Sequence, residues 1–298
     1  MQTPTLSYMP NLRSVNLERD IETPPDYILT EQSLRVIQRL VRGLAASAPA
    51  PRAYTLTGPY GVGKSAFAAF LTQLACPALP RHRECLQQLR AEVPVLAEDW
   101  RAVAGLERGG ILPLVCVGAR APLRRCLTRG IARSLETLQR LSPALEEMIR
   151  HAAQAESDEP TLELIETLYT LAKNEWGYAG VLLIVDELGK LLEYQAYEGV
   201  GDLYLLQQLA EFACSTEPSG LNLIAILHQG FEAYLNRLDD LARREWTKVQ
   251  GRFEDIPFYE PPHHLLPLIA RALHQSNFAP QPDAESVSEQ AIAFGLCP

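Results

Sequence analysis

Several features that would place a chain in another class of protein are missing from this sequence. No apolar run in its 298 residues approaches the ~20 residues that a membrane-spanning helix needs. The N-terminal stretch MQTPTLSYMPNLRSV has no charged segment followed by an apolar one, so we expect no signal peptide. Internal repeats are absent, and a net charge of −9 excludes a generic binder of polyanions.

Cysteine occurs, but never in a Cys-X-X-Cys pair, so the pattern indicates neither a metal site nor a disulfide framework. Several cysteines lie in apolar runs, where they are expected to act as small buried hydrophobic residues. This usage is typical of a reducing compartment and predicts a cytoplasmic protein. The six cysteines are Cys76, Cys85, Cys116, Cys126, Cys214 and Cys297.

The overall composition is that of a globular protein, with 47% hydrophobic and 21% charged residues. The length allows one large domain or two small ones. A core of this size needs neither disulfides nor a structural metal to be stable.

The most informative stretch is Ala53–Ala75, which reads AYTLTGPYGVGKSAFAAFLTQLA. Its first five residues predict a buried strand, and its end has the apolar spacing of a helix. Between them, Gly58–Ser65 matches the phosphate-binding loop pattern G-x-x-x-x-G-K-[ST]. A glycine-rich turn that binds nothing is the alternative, and the strand–loop–helix context argues against it.

The residue types of this loop suit the binding of a nucleotide triphosphate. Glycines at positions 58, 61 and 63 let the backbone curl so that its N–H groups face an anion. Lys64 can reach the β- and γ-phosphates, and the Ser65 hydroxyl can ligate Mg²⁺. The residues predicted to hold the nucleotide here are Gly58, Pro59, Tyr60, Gly61, Val62, Gly63, Lys64, Ser65 and Ala66.

Apolar runs that alternate with helical segments predict a parallel α/β sheet with right-handed crossovers. A helix is predicted at Glu31–Leu44, with Thr30 as its N-cap. The predicted strands are Ala53–Thr57, Ile111–Gly118, Val181–Lys190, Leu221–Gln229 and Glu254–Tyr259. Further helices are predicted at Leu203–Phe212, Arg237–Val249, Leu265–His274 and Ala284–Phe294.

Two acids follow the third apolar run, and we expect them beside the phosphate-binding loop. Asp186 can hold Mg²⁺ through a water, and Glu187 can orient and activate an attacking water. A strand that ends in solvated acids is the common alternative. The upstream loop favours the catalytic interpretation.

Polar residues at two further positions extend the predicted site. His228 and Gln229 end the fourth strand, where a side chain can touch the γ-phosphate or the attacking water. Arg252 precedes the fifth strand and can reach a neighbouring subunit's nucleotide as a trans finger. A surface turn and a solvated loop arginine are the alternatives, and Arg243 and Arg244 compete for the finger role.

This order of motifs resembles the AAA+ ATPases over residues 25–260. Gly251–Phe258, GRFEDIPF, is similar to the segment that carries the arginine finger there, and Tyr27 and Ile28 are similar in position to the segment that packs on adenine. The resemblance implies ATP, Mg²⁺, ring or filament assembly as a homo-oligomer, and a five-stranded sheet in the order 5-1-4-3-2 with helices on both faces. It divides the chain into an N-terminal segment 1–50, a core 51–260 and the start of a helical lid 261–298.

Three departures from that resemblance stand out. The stretches 76–110 and 134–178 are longer than a minimal core needs, which predicts helical insertions. His228 replaces the more usual Asn, Thr or Ser. The lid is short, with Arg271 the weak candidate for a second sensor, so the chain could be the front of a longer protein. DELGK followed by LLQQLAEFA and HQGF also resembles the N-terminal ATPase regions of large bacterial defence or mobile-element proteins.

Arginines recur at helical spacing at positions 125, 129 and 133, which places them on one helix face. Such a face could contact DNA phosphates or an acidic subunit surface. A solvated face with local partners such as Glu136 is the alternative, and we favour it slightly.

Taken together, the motifs predict an ATPase that couples Mg-ATP hydrolysis to oligomer assembly or to remodelling of a protein or DNA target. One alternative is a nucleotide-gated switch or scaffold with little turnover. A kinase for a small molecule is the third hypothesis, but a kinase does not need a trans arginine. No membrane partner is expected.

Overall fold

Five parallel strands form the centre of the computed structural model, which describes residues 15–24, 26–198, 203–230 and 246–259. The strand order is β2-β3-β4-β1-β5, which confirms the predicted order 5-1-4-3-2. The strands are β1 (Ala53–Thr57), β2 (Ile111–Val117), β3 (Gly180–Asp186), β4 (Leu221–Leu227) and β5 (Glu254–Pro257).

All seven residues of β3 and of β4 are buried. A strand buried at successive positions is covered on both faces, as the near-continuous apolar sequence predicts. The prediction that the third strand runs to Lys190 is wrong, since β3 ends at Asp186. Glu187 takes a left-handed backbone conformation with a φ of 52°, and the chain then turns into a helix.

Ten helices are found among the described elements: α1 (Leu17–Asp20), α2 (Glu31–Ala45), α3 (Lys64–Ala75), α4 (His82–Glu92), α5 (Pro94–Val103), α6 (Leu123–Thr137), α7 (Pro143–Gln154), α8 (Glu159–Asn174), α9 (Leu188–Glu198) and α10 (Leu203–Ser215). The predicted cap of α2 is present: the Thr30 hydroxyl accepts from the Ser33 N–H, and the Ser33 hydroxyl accepts from the Thr30 N–H. The long stretches 76–110 and 134–178 contain the helices α4, α5, α7 and α8.

The described residues belong to one compact unit. The five described cysteines are all free and four of them are buried. None of the helices within the described ranges is long and apolar enough to cross a membrane. The predicted lid 261–298 with Arg271, and the competing arginines Arg243 and Arg244, lie outside the described residues.

Arg52 is a structural residue that the sequence did not reveal. Its side chain is fully buried at the start of β1. The guanidinium donates to the carbonyls of Gly43, Ala46 and Thr216, which lie at the carboxyl ends of α2 and α10. Those carbonyls have no partner within their own helices, and a cation offsets the negative ends of both helix dipoles. Arg52 therefore fastens two helices to the amino edge of the sheet.

We expect Arg52→Met to lower the free energy of unfolding by about 3–5 kcal/mol, because it leaves buried carbonyls without a donor. Denaturant unfolding followed by circular dichroism measures the change. Arg42→Met, at an exposed position of the same helix α2, is the matched control and should change stability by about 0.5 kcal/mol or less. Equal effects of the two changes would contradict the fastening role.

Candidate functional site

The phosphate-binding loop lies between β1 and α3, at the carboxyl edge of the sheet. Gly61 and Gly63 have φ values of 82° and 88°, in the left-handed region that favours glycine. Among the described residues other than the chain neighbours, no heavy atom lies within 4 Å of where a Cβ would be at either glycine. Gly63 is the N-cap of α3 and brings no side chain to cap it. The N–H groups of the first turn of α3 are therefore left for an anion.

Gly58 is required for a different reason from the one that the sequence suggested. Gly58 is not among the glycines with positive φ. The expectation that the backbone conformation requires glycine at this position is therefore wrong. A Cβ on Gly58 would lie 2.1 Å from the Phe258 carbonyl oxygen. The chain after β5 packs directly on the loop, since the Phe258 N–H donates to the Thr57 carbonyl at 2.6 Å. Only glycine leaves room for this contact.

Lys64 is the first residue of α3 and its side chain is only 4% exposed. Its ammonium donates to the carbonyls of Gly58 and Pro59, at 2.5 and 2.7 Å. Burial lowers the pKa of Lys64, and the nearby Asp186 carboxylate opposes this effect. The ammonium is thus held inside the loop, at the place where the sequence predicts phosphate.

The two predicted metal ligands lie together. The Ser65 hydroxyl lies near enough to the Asp186 carboxylate to affect its pKa, and Asp186 is 2% exposed at the end of β3. Asp186 Oδ1 also accepts from the Glu187 N–H at 2.8 Å. Burial raises the pKa of Asp186, and the Ser65 hydroxyl and the Glu187 N–H oppose the rise. A hydroxyl and one carboxylate suit Mg²⁺, which keeps several waters and uses phosphate oxygens as further ligands.

No larger ligand cluster is present in the part of the chain that the structure describes. No group there holds three or more histidine, cysteine, aspartate or glutamate side chains placed to bind a metal.

Glu187 follows Asp186 at the same edge of the sheet. Its carboxylate forms an ion pair with the ammonium of Lys190, one turn later on α9. The sequence analysis did not assign Lys190 a role, although its i,i+3 spacing from the acid could have indicated the pair. The predicted general base is therefore engaged by a cation of its own chain.

His228 follows β4 directly and reaches the same edge. Its imidazole stacks on the ring of Tyr60, with centroids 3.5 Å apart and planes 22° apart. Burial lowers the pKa of His228 and the Lys64 charge lowers it further, so the ring is neutral near pH 7. Gln229, the neighbouring candidate, is exposed.

Tyr27, one of the two predicted adenine-side residues, lies against α3. The Tyr27 ring packs on Phe67 and Phe70, with centroids 5.9 and 5.4 Å away. Gln88 donates to the Tyr27 carbonyl at 2.7 Å, and Ile28 is half-buried. Contact with adenine by this segment stays a prediction.

Arg252 lies away from the phosphate-binding loop of its own chain. It lies before β5, whose residue Glu254 is paired with Tyr54 at the start of β1. The four residue steps from Glu254 to Phe258 span about 13 Å of strand, so Arg252 lies at the opposite edge of the sheet. Its guanidinium is 45% exposed and forms an ion pair with Glu211 of α10 at 2.6 Å.

The three arginines on one face of α6, at positions 125, 129 and 133, are exposed to solvent, and Arg129 also contacts other elements of the chain. Arg129 donates to the Val117 carbonyl at 2.7 Å and forms an ion pair with Glu18 of α1 at 3.0 Å. Glu18 in turn accepts from the Val117 N–H at 2.8 Å. The partner of Arg129 is thus Glu18. A groove between α6 and α7 is lined by charges of both signs: Arg125, Arg129, Arg150, Glu136 and Glu146.

We expect Arg129→Ala to lower the free energy of unfolding by about 1–2 kcal/mol, because the Glu18 carboxylate and the Val117 carbonyl both lose a donor. Arg125→Ala and Arg133→Ala, one turn to either side, are matched controls that should change stability by about 0.5 kcal/mol or less. Denaturant unfolding compares the three variants. Similar small effects at all three positions would make Arg129 an ordinary surface residue.

Comparison with known proteins finds similar solved structures only. No family model and no curated protein matches the chain. A structure of the ORC2 protein from Aeropyrum pernix in its ADPNP–ADP complexes is similar, with 15% identity and a TM-score of 0.48, and covers 84% of this chain and 53% of that chain. The ADP form of the same protein has 16% identity and a TM-score of 0.46, and covers 87% and 56%. The chain thus spans about half the length of the structures that it matches.

Proposed function

We propose that this chain binds and hydrolyses Mg-ATP as a module of the AAA+ type and couples the reaction to assembly of an oligomer or remodelling of a macromolecular target. One observation carries the proposal. The buried Lys64 ammonium and the Ser65 and Asp186 side chains lie together, beside a helix N-terminus that no side chain caps, at the carboxyl edge of a parallel sheet. Such edges are where ligands bind in open α/β sheets.

The residues fit a nucleotide triphosphate with its metal. The backbone N–H groups of the loop and of α3 would hold phosphate oxygens, and Lys64 would exchange the carbonyls of Gly58 and Pro59 for them. Ser65 and Asp186 would hold Mg²⁺. When bound, the metal supplies positive charge to the phosphates.

The remaining groups take the roles that suit their places. Glu187 orients the attacking water and accepts its proton once Lys190 releases the carboxylate. His228 is neutral and donates a hydrogen bond to the terminal phosphate. Tyr27 and Ile28 would pack on the base.

Arg252 acts on the nucleotide of a neighbouring subunit, because it lies at the opposite edge of the sheet from the phosphate-binding loop of its own chain. The active site is then complete only in a homo-oligomeric ring or filament. The segment 261–298 would begin the helical lid. The target is a protein or DNA, and a role in anti-phage defence rests on sequence resemblance alone.

A nucleotide-gated switch with little turnover is the second candidate, and a specific observation favours it. Both Glu187 and Arg252 are ion-paired within their own chain, to Lys190 and Glu211. A chain that keeps these pairs after binding ATP would bind without hydrolysing.

Lys64→Ala and Glu187→Gln form a matched pair that tests the proposal. We expect Lys64→Ala to weaken ATP binding by about 100-fold or more, because it deletes the cation that faces the phosphates. Glu187→Gln should bind Mg-ATP normally and lose turnover by about 10²–10⁴-fold, because an amide cannot accept the proton. Calorimetry and phosphate release measure the two effects. Tight ATP binding by Lys64→Ala would contradict the assignment of the phosphate-binding loop. Wild-type turnover in Glu187→Gln would show that another residue is the general base.

Arg252→Ala should bind ATP normally and lose turnover by ~10³–10⁵-fold, because a trans arginine stabilises charge in the transition state. Mixing it with Lys64→Ala should restore activity, since some interfaces then pair an intact loop with an intact arginine. The assay is ATPase rate against mixing ratio at fixed total protein.

Arg39→Ala is the control for this prediction, since Arg39 is also exposed and ion-paired at the amino end of β5, to Glu254. It should keep turnover. If mixed oligomers form and no ratio exceeds the sum of the separate variants, the shared site is wrong.

A further inference from the structure

Tyr60 is an unusual residue for its position. It stands in the phosphate-binding loop, yet its side chain is 74% exposed. Its ring does not pack on the core but on the His228 imidazole, at a centroid distance of 3.5 Å and an interplanar angle of 22°. The contact joins the loop after β1 to the end of the neighbouring strand β4.

The imidazole has no other anchor within the described ranges. Neither Nδ1 nor Nε2 of His228 has a hydrogen-bond partner there, although both atoms are buried. Buried polar atoms in proteins are nearly always paired, so two unpaired nitrogens on one ring indicate a missing ligand. Ring stacking is then what sets the orientation of the imidazole.

The position of the ring beside the phosphate-binding loop indicates which ligand would pair it. Lys64 and Lys190 lie close enough to affect His228, as do Glu187 and Glu193. Lys64 belongs to the loop that would hold the phosphates. A neutral imidazole keeps one N–H donor, and a donor beside the loop lysine suits an anionic oxygen.

We infer that Tyr60 is a positioning residue: by stacking, it holds the His228 imidazole so that a ring N–H hydrogen-bonds the terminal phosphate of a nucleoside triphosphate. The inference rests on the proposed function and adds which nucleotide the site prefers. A diphosphate has no third phosphate for His228 to contact. The stack therefore makes the site favour the triphosphate over the diphosphate.

The requirement is for the aromatic face of Tyr60. Its hydroxyl is not part of the stack, so Tyr60→Phe keeps the positioning. Tyr60→Leu keeps an apolar side chain and loses the flat face. Because Tyr60 is largely exposed, neither change should affect folding, and thermal unfolding checks this.

The experiment compares affinity for ADPNP and for ADP, in Mg²⁺, by calorimetry. We expect Tyr60→Leu to lose about tenfold in ADPNP affinity, the value of one hydrogen bond to a charged group. ADP affinity should stay within about twofold. Tyr60→Phe should bind both as the wild type does. Tyr204→Leu, at another exposed tyrosine (62%) on α10, is the control and should change neither affinity.

A double-mutant cycle separates positioning from a general effect on the loop. His228→Ala should lose the same affinity for ADPNP, and Tyr60→Leu should add nothing in the His228→Ala background. Additive losses, equal losses for ADP and ADPNP, or wild-type binding by Tyr60→Leu would each overturn the inference. If the wild type binds neither nucleotide, the proposed function fails as well. If it binds both and only these variants disagree, the inference alone fails.

Discussion

The candidate site depends on two opposite charges, Lys64 and Asp186, that are buried at one edge of the parallel sheet. Burial lowers the pKa of Lys64 and raises the pKa of Asp186, because each charged form loses water. The loop carbonyls, the Ser65 hydroxyl and the Glu187 N–H offset part of that cost. Phosphate oxygens and a divalent cation would offset it better, because they carry full charge. The conformation of the loop follows from the need to keep both charges satisfied inside the protein.

The strand order explains why the candidate groups meet. Parallel strands end at the same edge, and β4 lies between β1 and β3. The residues that follow these three strands therefore become neighbours, although Lys64, Asp186 and His228 are far apart in the sequence. Arg252 precedes its strand instead of following it. It therefore lies at the amino edge of the sheet, away from Lys64, Asp186 and His228. A site that uses Arg252 has to be made by two chains.

Several of the groups assigned to chemistry are held by residues of the same chain. Lys190 holds Glu187, Glu211 holds Arg252, and Tyr60 holds His228. Each contact orients a side chain without a ligand, and the two ion pairs also restrain it. Hydrolysis would require both ion pairs to be exchanged, whereas the stack on Tyr60 can remain. The two proposed functions, ATPase and switch, thus differ in whether these two ion pairs open when ATP binds.

Local sequence determined the loop, four of the five strand starts to the residue, and the capped helix α2, because these depend on neighbouring residues and on apolar periodicity. Even so, the end of β3 was overestimated, since the apolar run gives no sign of the left-handed turn at Glu187. Contacts between distant segments were decided by the tertiary structure: the close approach of Phe258 to Gly58, the three carbonyls around Arg52, and the stack of Tyr60 on His228. These contacts depend on which strands and helices lie side by side, and no local pattern carries that information.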